Sequence, residues 1–191
     1  VLVEGTTMYV AAWESVDLLQ ITAYDIASAQ PHETWVSHGD ISGKHSTSDA
    51  PHVVSAGEWL AVGSILVSKE TGEQEGTPWG EETPMAFVDE VVVTCSLLET
   101  CSGWTLQSGS WTRLWRTITA RQSHSGDAWK KGGGRVVGAG EEASVLVPVD
   151  YHYNLQLVNA RTGELATLGD AGPAKLSAMS DFRLALDGVI V

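Results

Sequence analysis

FVDEVVVTCSLLETCSGWTLQSGSWTRLWRTITA, residues 87–120, decides the fold class of this chain. It contains no proline and is dense in β-branched residues, and its breaks fall at turn formers. In an extended chain Val91, Val93 and Cys95 occupy one face, and Val92 and Thr94 the other. A reversal at Leu97-Leu98-Glu99 sets Cys95 opposite Cys101, within reach of a disulfide. A second reversal at Ser108-Gly109 begins a further strand. There Trp111, Arg113, Trp115 and Thr117 share one face, and Leu114 and Ile118 the other. The stretch predicts a three-stranded antiparallel meander.

Working outward, residues 1–12 read as one strand, with Thr7, Tyr9 and Ala11 alternating against Met8 and Val10. Leu18–Tyr24 fits a strand better than a helix. Residues 29–56 turn polar and are expected to be mostly loop. Glu58–Ser68 reads as a single strand, followed by a turn with Gly72 in the left-handed position. Residues 73–84 form a long acidic loop that carries Trp79. Residues 122–135, rich in glycine and positive charge, read as a flexible excursion. Ser144–Val149 and Tyr151–Asn159 are strands around Pro148, a residue tolerated at an edge or bend. The turn ARTGE at 160–164 repeats the chemistry of KETGE at 69–73, and we read this as one turn used twice, not as a duplicated domain. Gly172-Pro173 opens one helical turn before a closing strand at Asp181–Val191. The expectation is a single all-β domain over 1–191: an antiparallel β-barrel or sandwich with long polar loops and little helix. Both ends are strand-like without polar tails, which suggests a domain of a longer polypeptide.

A chain of 191 residues, 43% hydrophobic, can bury a full core. No run approaches the about 18 apolar residues of a membrane-spanning helix, so membrane insertion is not expected. The formal net charge is −13, unevenly placed. Sixteen acidic and two basic residues precede Arg113, whereas nine basic and eight acidic residues follow from it. Such a chain repels phosphate backbones, which excludes general nucleic-acid binding. There are eight Trp against two Phe and four Tyr, an excess that suits subunit contacts or ligand platforms. On that ground a homodimer is expected.

The chemistry-bearing motifs are few. There is no G-x-S-x-G elbow, and Gly132-Gly133-Gly134-Arg135 lacks the Lys-Ser/Thr pair of a phosphate loop. Glu81-Glu82 and Glu141-Glu142 sit in apparent loops, without a sign of the convergence that glycosidases require. His32, His38, His45 and His52 lack the tight spacing of a helix-borne metal site. They read as solvated loop residues titrating near the usual value of about 6.5. No enzyme, cofactor or metal is expected. Cys95 and Cys101 either stay reduced or form one local bridge, worth about 2–2.5 kcal/mol in the chain-entropy model. The more specific signal is aromatic residues interleaved with cations. Six of the eleven basic residues fall between Arg113 and Arg135, among Trp111, Trp115 and Trp129. The candidate partner site is therefore Trp129, Lys130, Lys131 and Arg135, with Trp111, Arg113 and Trp115 beside it. Arg113 between two indoles offers a surface for a sugar ring, an anionic glycan or an acidic protein patch. Alternatively, that face is covered by a second sheet or subunit.

The strand–turn units LQLVNARTGELATL (155–168) and ILVSKETGEQ (65–74), with the acidic loop-rich composition, resemble the protruding spike domain of a small non-enveloped virus capsid protein, astrovirus-like. That resemblance implies a non-catalytic attachment domain on the virion surface. It would dimerise on the shell and bind a host receptor or glycan, and antibodies, through its outer loops. The alternative is a carbohydrate-binding module or carbohydrate-active enzyme domain.

Overall fold

The computed structural model describes residues 1–40, 51–80, 82–96, 100–119, 134–148 and 155–167. All its regular elements are strands except one 3-10 turn at Gly140–Glu142. The strands form four antiparallel sheets of four, each built from consecutive strands. Sheet 1 contains β1 (Leu2–Glu4), β2 (Thr7–Trp13), β3 (Leu18–Asp25) and β4 (His32–Asp40). Sheet 2 contains β5 (Val54–Ala56), β6 (Trp59–Val62), β7 (Ile65–Ser68) and β8 (Gln74–Gly76). In sheet 3 are β9 (Thr83–Val88), β10 (Val91–Cys95), β11 (Thr100–Gln107) and β12 (Ser110–Ile118). Sheet 4 comprises β13 (Arg135–Val137), β14 (Ser144–Pro148), β15 (Leu155–Asn159) and β16 (Leu165–Thr167).

Period-two alternation explains the stacking. In sheet 2, Leu60, Val62, Ile65 and Val67 pack on Tyr9, Leu19, Ile21 and Ala23 of sheet 1. Their neighbours Ala61 and Leu66 point the other way and join Val92 of sheet 3. In sheet 3, Val91, Val93, Cys95 and Cys101 meet Val145, Val147 and Val158 of sheet 4. Each inner sheet therefore buries both faces, which is why its strands carry near-continuous apolar runs. The first strands carry much of the contact between sheets, with β9 lying against β5 and β13. Four-stranded meanders stacked in chain order follow the plan of β-propeller blades.

The same tryptophan latch closes two of the three joints. Trp35 on β4 donates its indole N–H to Lys69 O at 3.0 Å, and Trp115 on β12 donates to Ala160 O at 2.8 Å. Each ring lies over the glycine of the receiving turn, Gly72 (φ 74°) or Gly163 (φ 73°). A Cβ there would stand 2.8 Å from the Trp35 ring or 2.6 Å from the Trp115 ring. The turns share their main hydrogen bonds. Gly72 N–H reaches Ser68 O and Gly163 N–H reaches Asn159 O, both at 2.9 Å. The Thr71 and Thr162 hydroxyls each accept from the N–H two residues on, at 3.2 Å. Each tryptophan also follows a β-bulge, with Thr34 the extra residue in β4 and Leu114 in β12. The joint between sheets 2 and 3 differs: Trp79 packs edge-on to Trp111 at 5.5 Å and tilted to Trp104 at 6.2 Å.

The all-β class, antiparallel pairing and scarcity of helix are as expected. The grouping is finer than a barrel or a two-sheet sandwich, because the strands divide into four sheets. The KETGE and ARTGE turns occupy the same place, between third and fourth strands, so they mark a repeated four-stranded unit and not merely reused turn chemistry. Residues 1–12 and Glu58–Ser68 each split into two strands, at Gly5 (φ 56°) and Gly63 (φ 54°). The meander gains a fourth strand, because Asp89 and Glu90 take positive φ and reverse the chain within the apolar run. Residues expected as loops also form strands: β4 lies within 29–56 and β8 within 73–84. Trp79 lies in the turn between β8 and β9, as expected, but is buried there at 5% exposure. The expected strand at Asp181–Val191 and the turn at Gly172-Pro173 lie outside the described residues.

Candidate functional site

Two places gather polar chemistry. The first is the seam between sheets 1 and 2. Lys69, at the end of β7, is held at 16% side-chain exposure and reaches Glu4 Oε2 of β1 at 2.7 Å. Its Nζ also donates to Ser55 Oγ of β5 at 2.6 Å, and Ser55 Oγ donates in turn to Glu4 Oε1. Burial works to raise the Glu4 pKa. The hydrogen bonds from Lys69 and Ser55, with the charge of Lys69, outweigh it and hold the carboxyl below its ordinary value. Burial, helped by the charge on Glu4, pushes the Tyr9 hydroxyl up. An open groove of about 400 Å³ adjoins the triad, walled by Trp59, Glu58 and Glu70.

A serine beside a lysine invites a nucleophilic reading, and the bonding argues against it. A lysine base must be neutral, whereas Lys69 donates to a carboxylate that is itself held ionised. The serine proton is directed to Glu4, whose lowered pKa makes it a poor base. The triad is an internally satisfied ion pair that ties β1 to β5 and β7. Sequence reasoning passed over it because Glu4 lies 51 residues from Ser55 and 65 from Lys69. The available signal was that Lys69 is one of only two cations before Arg113.

The second place is β12. The bulge at Leu114 changes which side chains share a face. Before it, Arg113 pairs with Trp104; after it, Trp115 pairs with Gly103 and Arg116 with Ser102. Trp104 and Ser102 lie on the same face of β11, so Arg113 and Arg116 are brought together on one face with Trp111 and Ile118. Trp115 is turned to the opposite face and packs into the core between sheets 3 and 4. The expected Trp111–Arg113–Trp115 face is therefore corrected, since strict alternation fails at a bulge. Trp111 is half-buried in the joint with sheet 2, and the Arg113 guanidinium stands 5.7 Å from the Trp104 ring centroid. Beneath them, Thr94 Oγ1 donates to Glu82 Oε2 at 2.5 Å and accepts from the Trp104 indole at 3.0 Å. Ser102 Oγ donates to Glu82 Oε1 at 3.1 Å.

No family model matches the chain, and no curated protein matches it. Among solved structures, the crystal structure of BamB from Moraxella catarrhalis is similar at a TM-score of 0.42 and 12% identity. The match covers 88% of this chain and 51% of that one, so the chain spans about half of that protein's length. A likeness this slight carries no argument about function.

Of the remaining expected site residues, Arg135 begins β13 and is exposed, whereas Trp129, Lys130 and Lys131 lie outside the described residues. Cys95 and Cys101 are directly paired across β10 and β11 and form the disulfide. His32 and His38 lie on β4, not in a loop, and His38 Nδ1 is 3.0 Å from Glu14. His52 departs from the solvated reading. Its Nε2–H donates to Met85 O at 3.2 Å, and burial lowers its pKa although that hydrogen bond opposes the shift. His45 lies outside the described residues. Among the described residues no cluster of three metal-ligating side chains occurs.

Proposed function

We propose that this chain is a non-catalytic binding module that holds an anionic partner on β12, the outer strand of its third sheet. The observation that supports this reading is the state of its cations. Lys69 and Arg161 are each paired with a glutamate, at 2.7 and 3.0 Å. Arg113 and Arg116 are exposed on one face, and neither has a carboxylate within salt-bridge range among the described residues. In a chain with 24 acidic residues, two exposed arginines on one face, neither paired with a carboxylate among the described residues, make a local attractive point on a repelling molecule. That the partner is a host-cell receptor or glycan, met on a virion surface, rests on the resemblance of the strand–turn units alone.

The test is fluorescence anisotropy with anionic probes, a sulfated oligosaccharide and an acidic peptide, across a range of salt. Arg113→Ser combined with Arg116→Ser should weaken binding by about tenfold or more and flatten its salt dependence. Unchanged affinity in the double variant would place the partner elsewhere.

A further inference from the structure

The strand that carries the two arginines also offers its backbone. Among the described residues β12 is hydrogen-bonded only to β11 and ends the sheet on its other side, so alternate N–H and C=O groups along Ser110–Ile118 face outward. The four outer strands of the stack are not equivalent. β8 and β16 are three residues long, too short to template a partner. β4 is nine residues long, but it carries Glu33 and Asp40. β12 is equally long, has no carboxylate, and exposes Leu114 at 44% and Ile118 at 73% beside its arginines.

Charge selects the occupant. A second copy pairing through its own β12 would bring arginines toward arginines, and like charges across a ladder destabilise it. An acidic segment meets no such opposition. The bulge at Leu114 divides the edge into two four-residue runs, Ser110–Arg113 and Trp115–Ile118, so the added strand is short or itself kinked. We infer that β12 docks an extended acidic segment of a partner protein, which adds to sheet 3 as a fifth strand. The backbone ladder supplies affinity. Arg113 and Arg116 select for carboxylates on the face they share with Ile118. This inference rests on the anionic-partner reading of β12, and the experiment separates the two.

The full chain would be titrated with three labelled probes. One is a short peptide alternating glutamate and valine, the second is the same peptide N-methylated at alternate residues, and the third is a sulfated oligosaccharide of similar charge. The unmodified peptide is expected to bind most tightly. Affinity should fall about tenfold on N-methylation, because ladder hydrogen bonds are lost while charge is kept. It should fall about as much with Arg113→Ser plus Arg116→Ser, exposed changes whose fold is checked by circular dichroism. Equal binding of the N-methylated peptide, or tighter binding of the oligosaccharide, would overturn strand addition and leave the anionic surface standing. Indifference to the double substitution, or no binding by any probe, would overturn both.

Discussion

Glu4 keeps its charge in a partly enclosed seam because Lys69 and Ser55 both donate to it. Its folded pKa lies below the 4.5 of an ordinary glutamate. The unfolded chain therefore takes up this proton first as the pH falls. The pair's contribution is present above pH 4.5 and is lost as the pH drops through the lower folded value. Urea midpoints followed from pH 7 to pH 3 should show that loss in the wild type. In Lys69→Met only the Ser55 hydrogen bond is left to oppose burial, so the loss should shrink, vanish or reverse sign. Superimposable profiles would sink the assignment. At the other kind of special residue, Gly163→Ala combines a left-handed backbone with a Cβ 2.6 Å from the Trp115 ring. It should cost about 2–4 kcal/mol by urea denaturation. Gly72→Ala should behave alike at the first latch, since its surroundings are the same.

Hairpins and bulges shape the third sheet. Asp89 and Glu90 connect β9 to β10 with φ of 46° and 68°, the signature of a two-residue turn that favours glycine at its second position. Glu90→Gly should stabilise the chain by about 1 kcal/mol, the left-handed penalty less the added freedom of the unfolded state. A lower urea midpoint would mean that the Glu90 side chain contributes something its backbone conceals. One hairpin further on, the bridge between Cys95 and Cys101 closes a short loop whose sulfurs face the core with sheet 4. Reduction should lower stability by about 2 kcal/mol, with thiols verified by alkylation and mass spectrometry. Because the two thiols stay buried beside Trp115, the tryptophan bands of the near-ultraviolet circular dichroism should be nearly unchanged.

Across the molecule, seven of the eight tryptophans, the excess from which a homodimer was expected, join core clusters of the chain itself, and Trp129 lies outside the described residues. Trp13 and Trp35 join the first core cluster, Trp59, Trp79, Trp104 and Trp111 the second, and Trp115 the third. Stacked units that touch only their neighbours open locally, and each joint sets how far an opening spreads. Trp115→Phe removes the indole donor to Ala160 O. Amide exchange should then accelerate in sheets 3 and 4 while sheets 1 and 2 keep their wild-type rates. Uniform acceleration through all four sheets would show that the latches do not delimit the cooperative units.

The sequence by itself determined the all-β class, the strands at Leu18–Tyr24 and over the meander, the left-handed Gly72 and the placing of the two cysteines opposite each other. These follow from local chemistry: side-chain alternation, turn formers, and two cysteines six residues apart on strands joined by a tight reversal. It also displayed the twin TGE turns, whose meaning as marks of a repeat came only with the tryptophans that sit on them. Turns made by Asp89-Glu90 within an apolar run leave no compositional trace, so strand number was underestimated. Which residues of β12 share a face was decided by one extra residue at Leu114, and a bulge is a property of strand pairing rather than of strand composition. The Glu4–Ser55–Lys69 triad exists only because sheets 1 and 2 meet face to face. Tertiary packing sets the charge state and the partners of those groups, and with them what the seam and the outer strand can do.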